Sequence, residues 1–373
     1  MREVREMSSA GEPRRQSTGL IDDDAFKGTK PLEDAGPFDL ARLDAWLAAN
    51  VEHYRGPLDI RQFKGGQSNP TYHITSPSGS LVLRRKPFGA LLPSAHAVDR
   101  EFRVISALHR AGFPVPTPYA LCLDGDVIGT TFYVMEMMQG DIYWNALLPG
   151  ASPERRRRIF RSQVETLAQL HHVDYAALGL SDYARPGNYF ERQVIRWTKQ
   201  YRSSETEHIQ EVENLISWLP QSLPAQERVS IVHGDYRLDN TVFGNDDRIK
   251  AVLDWELSTL GDPLADFTYF LMQWAMPPDG RSGLAGVDLK SLGIPDIDEV
   301  ISLYCGMTGR SDLPDLNWYF AYNLFRLVGI LQGIAGRVRD GTASSEKARE
   351  MAARTRPLAM RAWDFAQKAE AGQ

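Results

Sequence analysis

Cysteine is almost missing from this chain: Cys122 and Cys305 are the only two among 373 residues. Two thiols cannot build a disulfide framework or a four-thiolate zinc site, so the sequence reads as one of a reducing compartment. A basic surplus is missing too. The balance of 42 Lys+Arg against 48 Asp+Glu leaves a net charge of -6, which sets nucleic-acid binding aside. Long apolar runs are also lacking. The greasiest stretch, Leu324 to Ile334, is broken by Arg326 and Gln332. It is shorter than the roughly 20 apolar residues a bilayer requires. Met1 to Thr18 is polar and has no apolar core of a signal peptide. Together these absences point to the cytoplasm, with no membrane and no nucleic acid as partner.

What is present is an ordinary globular mix of 43% hydrophobic, 24% charged and 10% aromatic residues. That excludes a wholly disordered chain, a collagen-like fibre and a coiled coil. Residues 1–35 are polar and aperiodic, as in a flexible arm. Residues 36–137 read as a small strand-rich unit with one internal helix. Its strands are Ile60 to Lys64, Thr71 to Thr75 and Ser80 to Arg84, and its helix runs from Ala97 to Ala111. Val127-Ile128 and Thr131 to Met135 look like a hairpin. Residues 138–373 are mostly helical. Ser152-Pro153 opens one helix, and Phe267 to Trp274 and Trp318 to Arg339 read as two more. Ile231-Val232 and Ile249 to Leu253 are short strands among them. The class is α+β.

The chemistry concentrates in His233-Gly234-Asp235 and Asn240, followed by Asp254. A strand–loop–strand hairpin would bring Asp254 beside Asn240. A carboxylate and an amide oxygen converging this way can hold Mg²⁺, which also takes phosphate oxygens. Asp235 would stay free to accept a proton from a hydroxyl. These are the parts that phosphoryl transfer requires.

The pattern His233-x-Asp235-x-x-x-x-Asn240, then Asp254, resembles the kinase-like phosphotransferases: aminoglycoside phosphotransferases, choline kinases and their relatives. Gly261-Asp262-Pro263-x-x-Asp266 fits the same family. The resemblance implies a protein-kinase-like two-lobe fold, with a small antiparallel-sheet N-lobe and a larger helical C-lobe, and it implies ATP as phosphoryl donor. It implies further that Gly65, Gly66, Gln67, Ser68 and Asn69 form the loop covering the phosphates. Arg84 would contact those phosphates and Glu101 would pair with it, while Glu136 and Met137 lie on the hinge strand that meets adenine. The family's common base is Lys. Here Arg84, Arg85 and Lys86 stand in line, and alternation puts Arg84 and Lys86 on one face. Arg84 is favoured and Lys86 stays open.

Several neighbours have plainer readings. His233 holds the loop through its ring nitrogens, Asp262 caps a helix, and Asp266 accepts from loop N–H groups. His171-His172 reads as a cap or surface pair, and Arg155 to Arg158 as a solvated helix end. Arg326 sits in a helix that is apolar on nearly every side, so it must be buried and partnered. Its partner is either an acid of the helical part or an anion of the acceptor, with Gly329 and Gly333 leaving room for a ligand.

For the acceptor, Arg326, Arg337 and Arg339 among Trp318, Tyr319, Tyr322 and Phe325 suit an anionic or partly apolar molecule better than a polycation. Asn69 to Tyr72, Leu83 to Pro87, Leu91 to His96 and Asp99 to Phe102 resemble the kinase domain at the front of acyl-CoA dehydrogenase family 10 and 11 proteins. That resemblance implies a hydroxyacyl-CoA acceptor. An aminoglycoside or other small alcohol is the alternative. A non-catalytic nucleotide-binding pseudokinase is disfavoured because Asp235, Asn240 and Asp254 are all present. A metal-dependent phosphohydrolase would need more clustered ligands than His233 offers.

Overall fold

The computed structural model describes residues 28–32, 38–64, 69–88, 97–185, 187–279, 281–341 and 346–372. The bulk of the expected arm, the loop residues Gly65, Gly66, Gln67 and Ser68, and the stretch Leu91 to His96 lie outside the described residues.

In chain order the first part runs β1 (Thr29–Lys30), α1 (Leu40–Asn50), β2 (Asp59–Phe63), β3 (Thr71–Ser76), β4 (Gly79–Arg85), α2 (Val98–Arg110), β5 (Pro118–Cys122) and β6 (Phe132–Glu136). The six strands form one antiparallel sheet in the order β1-β2-β3-β4-β6-β5. Side chains alternate across it. Leu83, Phe132 and Val134 pack with Leu43 and Leu47 of α1 on one face. Val82, Arg84, Tyr133 and Met135 face the cavity described below. The expected hairpin at Val127-Ile128 is a turn, and β6 pairs with β5 instead. A run of only two apolar residues before the Gly129-Thr130 gap is equally compatible with a loop, and Val127 and Ile128 are buried there as packing residues.

The second part runs α3 (Pro153–His172), α4 (Tyr189–Ser204), α5 (Gln210–Trp218), β7 (Ser230–Val232), β8 (Thr241–Phe243), β9 (Ile249–Val252), β10 (Thr259–Gly261), α6 (Leu264–Ala275), α7 (Leu289–Leu292), α8 (Ile297–Thr308), α9 (Leu316–Arg339), α10 (Glu346–Ala353) and α11 (Thr355–Ala371). Ser152 caps α3 by accepting from Arg155 N, and Pro153 fits the first turn because its missing N–H would be unpaired there. The Arg155 to Arg158 run is less solvated than its composition implies. Arg155 and Arg158 both pair with buried Asp247, and buried Arg156 donates to the carbonyls of Leu147, Leu148 and Leu292.

Helix α9 lies against α4, α6, α10 and α11. Gly329 and Gly333 admit no ligand. A methyl group at either would stand 3.4 Å from Trp197 or Gln200, in ordinary contact, so α4 already covers this face. Among the described residues no helix is long and apolar enough to cross a membrane.

Candidate active site

Strands β8 and β9 pair with Thr241 opposite Val252, and Leu253 N donates to Asn240 O at 2.8 Å. The hairpin therefore sets Asp254 beside Asn240, as the spacing requires. Asp254 itself has φ 66°, a left-handed conformation that costs a residue with a Cβ of order 1–2 kcal/mol. That turn swings its carboxylate back toward β4. Arg84 meets it there, with Nη2 2.5 Å from Asp254 Oδ1 and Nε 3.0 Å from Glu101 Oε2 on α2. Burial works against the Arg84 charge, but Asp254 and Glu101 outweigh it and hold its pKa well above the usual value. Arg85 points the other way, donating to Tyr72 Oη and lying 3.9 Å from the Phe88 ring centroid. Lys86 lies past the strand end and is absent from the cavity wall.

Glu256 was not anticipated. It stands 3.4 Å from Arg84 Nη2 and accepts from Asn69 Nδ2 at 3.2 Å. Its position two residues past Asp254 was the available signal. Asn69 is buried and ties the start of β3 to this turn, and it does not line the cavity.

A cavity of about 250 Å³ lies between the sheet and this hairpin. Val82, Ile105, Tyr133, Val242 and Val252 give it apolar walls, and Glu136 and Met137 border it. The Glu136 carboxylate is engaged by Thr117 N and Oγ1. Arg84, Asn240 and Asp254 supply its polar end. Asn240 fits a metal ligand. Asp235 O and Oδ2 can only accept, so the Asn240 atom facing them is Nδ2, which leaves the amide oxygen as a free ligand. With Asp254 it forms the all-oxygen donor set that suits Mg²⁺.

The loop bearing Asp235 is held from below. Asp266 on α6 accepts from His233 N and from Gly234 N at 2.8 Å. Burial works to raise the Asp266 carboxyl, but the His171 ring at 3.7 Å and the Gly234 N–H outweigh it and keep it below its ordinary value. His233 is structural, as expected: Nε2 donates to Leu253 O at 2.9 Å and Nδ1 accepts from Asp235 N. Gly234 has φ 87°, and a Cβ there would sit 2.8 Å from Leu257 O, so only glycine fits.

His171 is no surface residue. Its ring is buried, bonded to Tyr304 Oη at 2.7 Å, and burial pushes its pKa down. Arg326 is likewise corrected. It makes no ion pair with an acid and is absent from the walls of the cavities, and it donates to the Gly234 carbonyl, with Tyr269 and Trp197 rings 5.1 and 5.7 Å away. A backbone carbonyl and two aromatic faces satisfy the buried guanidinium.

A second cavity, about 190 Å³, opens beyond Arg237 and Asp239. Met272, Met276, Leu327, Ile330 and Leu358 line it. The arginines here are Arg237, Arg281 and Arg354, and not Arg326, Arg337 or Arg339. Arg281 pairs with Asp239 and Arg354 with Asp279.

A family model described as "Phosphotransferase enzyme family" matches residues 59–299. The mouse protein acyl-CoA dehydrogenase family member 10 is 46% identical over 344 residues, covering 91% of this chain and 32% of its own length. The rat protein acyl-CoA dehydrogenase family member 11 is 42% identical over 344 residues, covering 90% of this chain and 44% of its own length. This chain thus spans less than half of either relative. A crystal structure from Ralstonia eutropha, assigned provisionally to the aminoglycoside phosphotransferases, is 48% identical with a TM-score of 0.81, covering 89% of this chain and 99% of that one. A spectinomycin phosphotransferase solved with ADP and spectinomycin has a TM-score of 0.59 at 12% identity, covering 88% and 99% of the two chains, which is a likeness of fold alone.

Proposed function

The chain belongs to the phosphotransferase enzyme family, and from that premise we propose that it moves the γ-phosphoryl group of ATP to a hydroxyl of a hydroxyacyl-CoA, with Mg²⁺. The observation that carries this reading is the pair of cavities on either side of the Asp235 loop. One is apolar with a cationic and oxygen-donor end; the other is apolar with three arginines and two aspartates in its wall. On this reading residues 36–137 are the nucleotide-binding lobe. Residues 138–373 carry the base, the metal ligands and the acceptor cleft.

Arg84, held by Glu101, contacts the nucleotide phosphates, and Gly65, Gly66, Gln67 and Ser68 cover them, with Asn69 anchoring the end of that loop to Glu256. Glu136 and Met137 border the adenine. Asn240 and Asp254 hold Mg²⁺, which neutralises charge on the phosphates. Asp235 accepts the acceptor's proton.

The acceptor side favours an acyl thioester over an aminoglycoside. Arg237, Arg281 and Arg354 outnumber Asp239 and Asp279, with which they pair, in a wall otherwise rich in Met, Leu and Ile, so a polycation meets a small net positive charge there. An apolar chain attached to an anionic carrier suits both features. The relatives are named as acyl-CoA dehydrogenases, which points the same way. Location in the cytoplasm accords with the two free cysteines.

Incubation with Mg-ATP and a panel of hydroxyacyl-CoA esters, aminoglycosides and simple alcohols, read by mass for one added phosphoryl group, tests the reading. Transfer to a hydroxyacyl-CoA is expected. Transfer to an aminoglycoside and to no CoA ester would contradict it.

A further inference from the structure

Asp235 is held more tightly than a general base needs for its charge alone. A carboxylate offers about four lone-pair positions on two oxygens. Oδ1 accepts from Tyr269 Oη at 2.9 Å and faces Arg237 Nε at 3.2 Å. Oδ2 accepts from Asn240 Nδ2 at 3.1 Å. Tyr269 thus takes one position of Oδ1 by hydrogen bond, while Arg237 Nε stands against the same oxygen as an ion-pair partner without a hydrogen bond, and one position of Oδ2 is left over.

Tyr269 comes from the same helix, α6, that supplies Asp266. The two are three residues apart and lie one turn from each other on a common face. Helix α6 therefore fixes the loop backbone with one side chain and its carboxylate with another. Helix α9 secures the arrangement, because Arg326 lies over the Tyr269 ring and donates to Gly234 O. The Tyr269 ring also forms part of the wall of the second cavity.

We infer that Tyr269 is a positioning residue for the phosphoryl-transfer base, locking Asp235 Oδ1 so that Oδ2 is the oxygen that takes the acceptor's proton. The inference rests on the proposed role of Asp235. In the step, the acceptor O–H bond breaks and its proton passes to Oδ2. The freed electron pair forms the new O–P bond as the bond to the departing ADP breaks. Tyr269 stays protonated throughout. Burial and the neighbouring Asp235 push its phenol well above its ordinary pKa, so it donates and does not shuttle.

The test is Tyr269→Phe, which keeps the ring under Arg326 and removes only the donor. Turnover is followed with Mg-ATP and 3-hydroxybutyryl-CoA, and also with water as acceptor. A misaligned base forfeits part of the roughly 10²–10⁴-fold that base catalysis supplies. The expected result is therefore a kcat lower by about 10- to 100-fold with KM for ATP unchanged. Incorporation of 4-fluorophenylalanine at 269 fills the hydroxyl's space without donating and must show the same loss, whether or not Tyr269→Phe folds. A purely structural role predicts a lower Tm with wild-type kcat per folded molecule, and that result overturns the inference. Asp235→Asn separates the two ideas. If it is inactive while Tyr269→Phe is fully active, only the positioning role fails. If Asp235→Asn is fully active, the reading of the base fails with it.

Discussion

Arg84 illustrates how one residue can be fixed by sequence only up to a choice. Alternation within β4 leaves Arg84 and Lys86 on one face, and nothing in the sequence decides between them. The fold favours Arg84, because β4 ends at Arg85 while Glu101, Asp254 and Glu256 all converge on Arg84. A hydrogen bond to a charged group contributes about 1.5–3 kcal/mol. Arg84→Ala is therefore expected to raise KM for ATP by about 10- to 100-fold, since each 1.4 kcal/mol is tenfold. Lys86→Ala should leave it unchanged. Steady-state kinetics on the two variants reads the contrast, and the reverse result would move the phosphate contact to Lys86. Tyr269 and Glu256 escaped the sequence because each acts at a distance its own motif does not announce. Their partners lie 34 and 187 residues away in the chain.

Helix α6 carries the element-scale argument. Asp262 at its mouth accepts from Leu264 N at 2.8 Å, and burial pushes its carboxyl up to about 6, against a usual value of 3.8. The folded state thus binds more protons than the unfolded chain between those two values. Asp262 stabilises the fold at acid pH, and this contribution is lost as pH rises through about 6. Two pKa units correspond to about 3 kcal/mol as an upper bound. His171 acts in the opposite sense: its depressed pKa costs stability as pH falls below the ordinary histidine value. The wild-type profile therefore mixes the two, and a difference isolates one. Asp262→Asn keeps an oxygen for Leu264 N and removes the titration. Chemical denaturation should find the variant equal to wild type near pH 4 and more stable at pH 8 by up to about 3 kcal/mol. A pH-independent difference would contradict the assignment. The sequence showed the cap at Asp262, because Asp-Pro before an apolar run is a local signal. It could not show the burial, which comes from elements far along the chain.

At the scale of the whole molecule, the two-lobe fold was legible because its signals are ordered. Short strands with one helix come first, then the His233 to Asn240 loop, then Asp254 and the helices. The hairpin of β8 and β9 was legible for the same reason, as a fixed spacing between Asn240 and Asp254. The acceptor side was not. The arginines expected to face it on α9 are spent elsewhere, with Arg326 on Gly234 O and Arg339 on Asp340 and Glu205 O. Those that do line the cavity, Arg237, Arg281 and Arg354, come from three separate segments.

The central claim is that Asp235 is the base of a phosphoryl transfer and not a structural carboxylate. Asp235→Asn tests it most directly, with kcat and Mg-ADP affinity measured on the same preparation. General-base catalysis supplies about 10²–10⁴-fold, so kcat should fall by that order while Mg-ADP binding holds. Full turnover by Asp235→Asn, or a loss of nucleotide binding in step with turnover, would contradict the account.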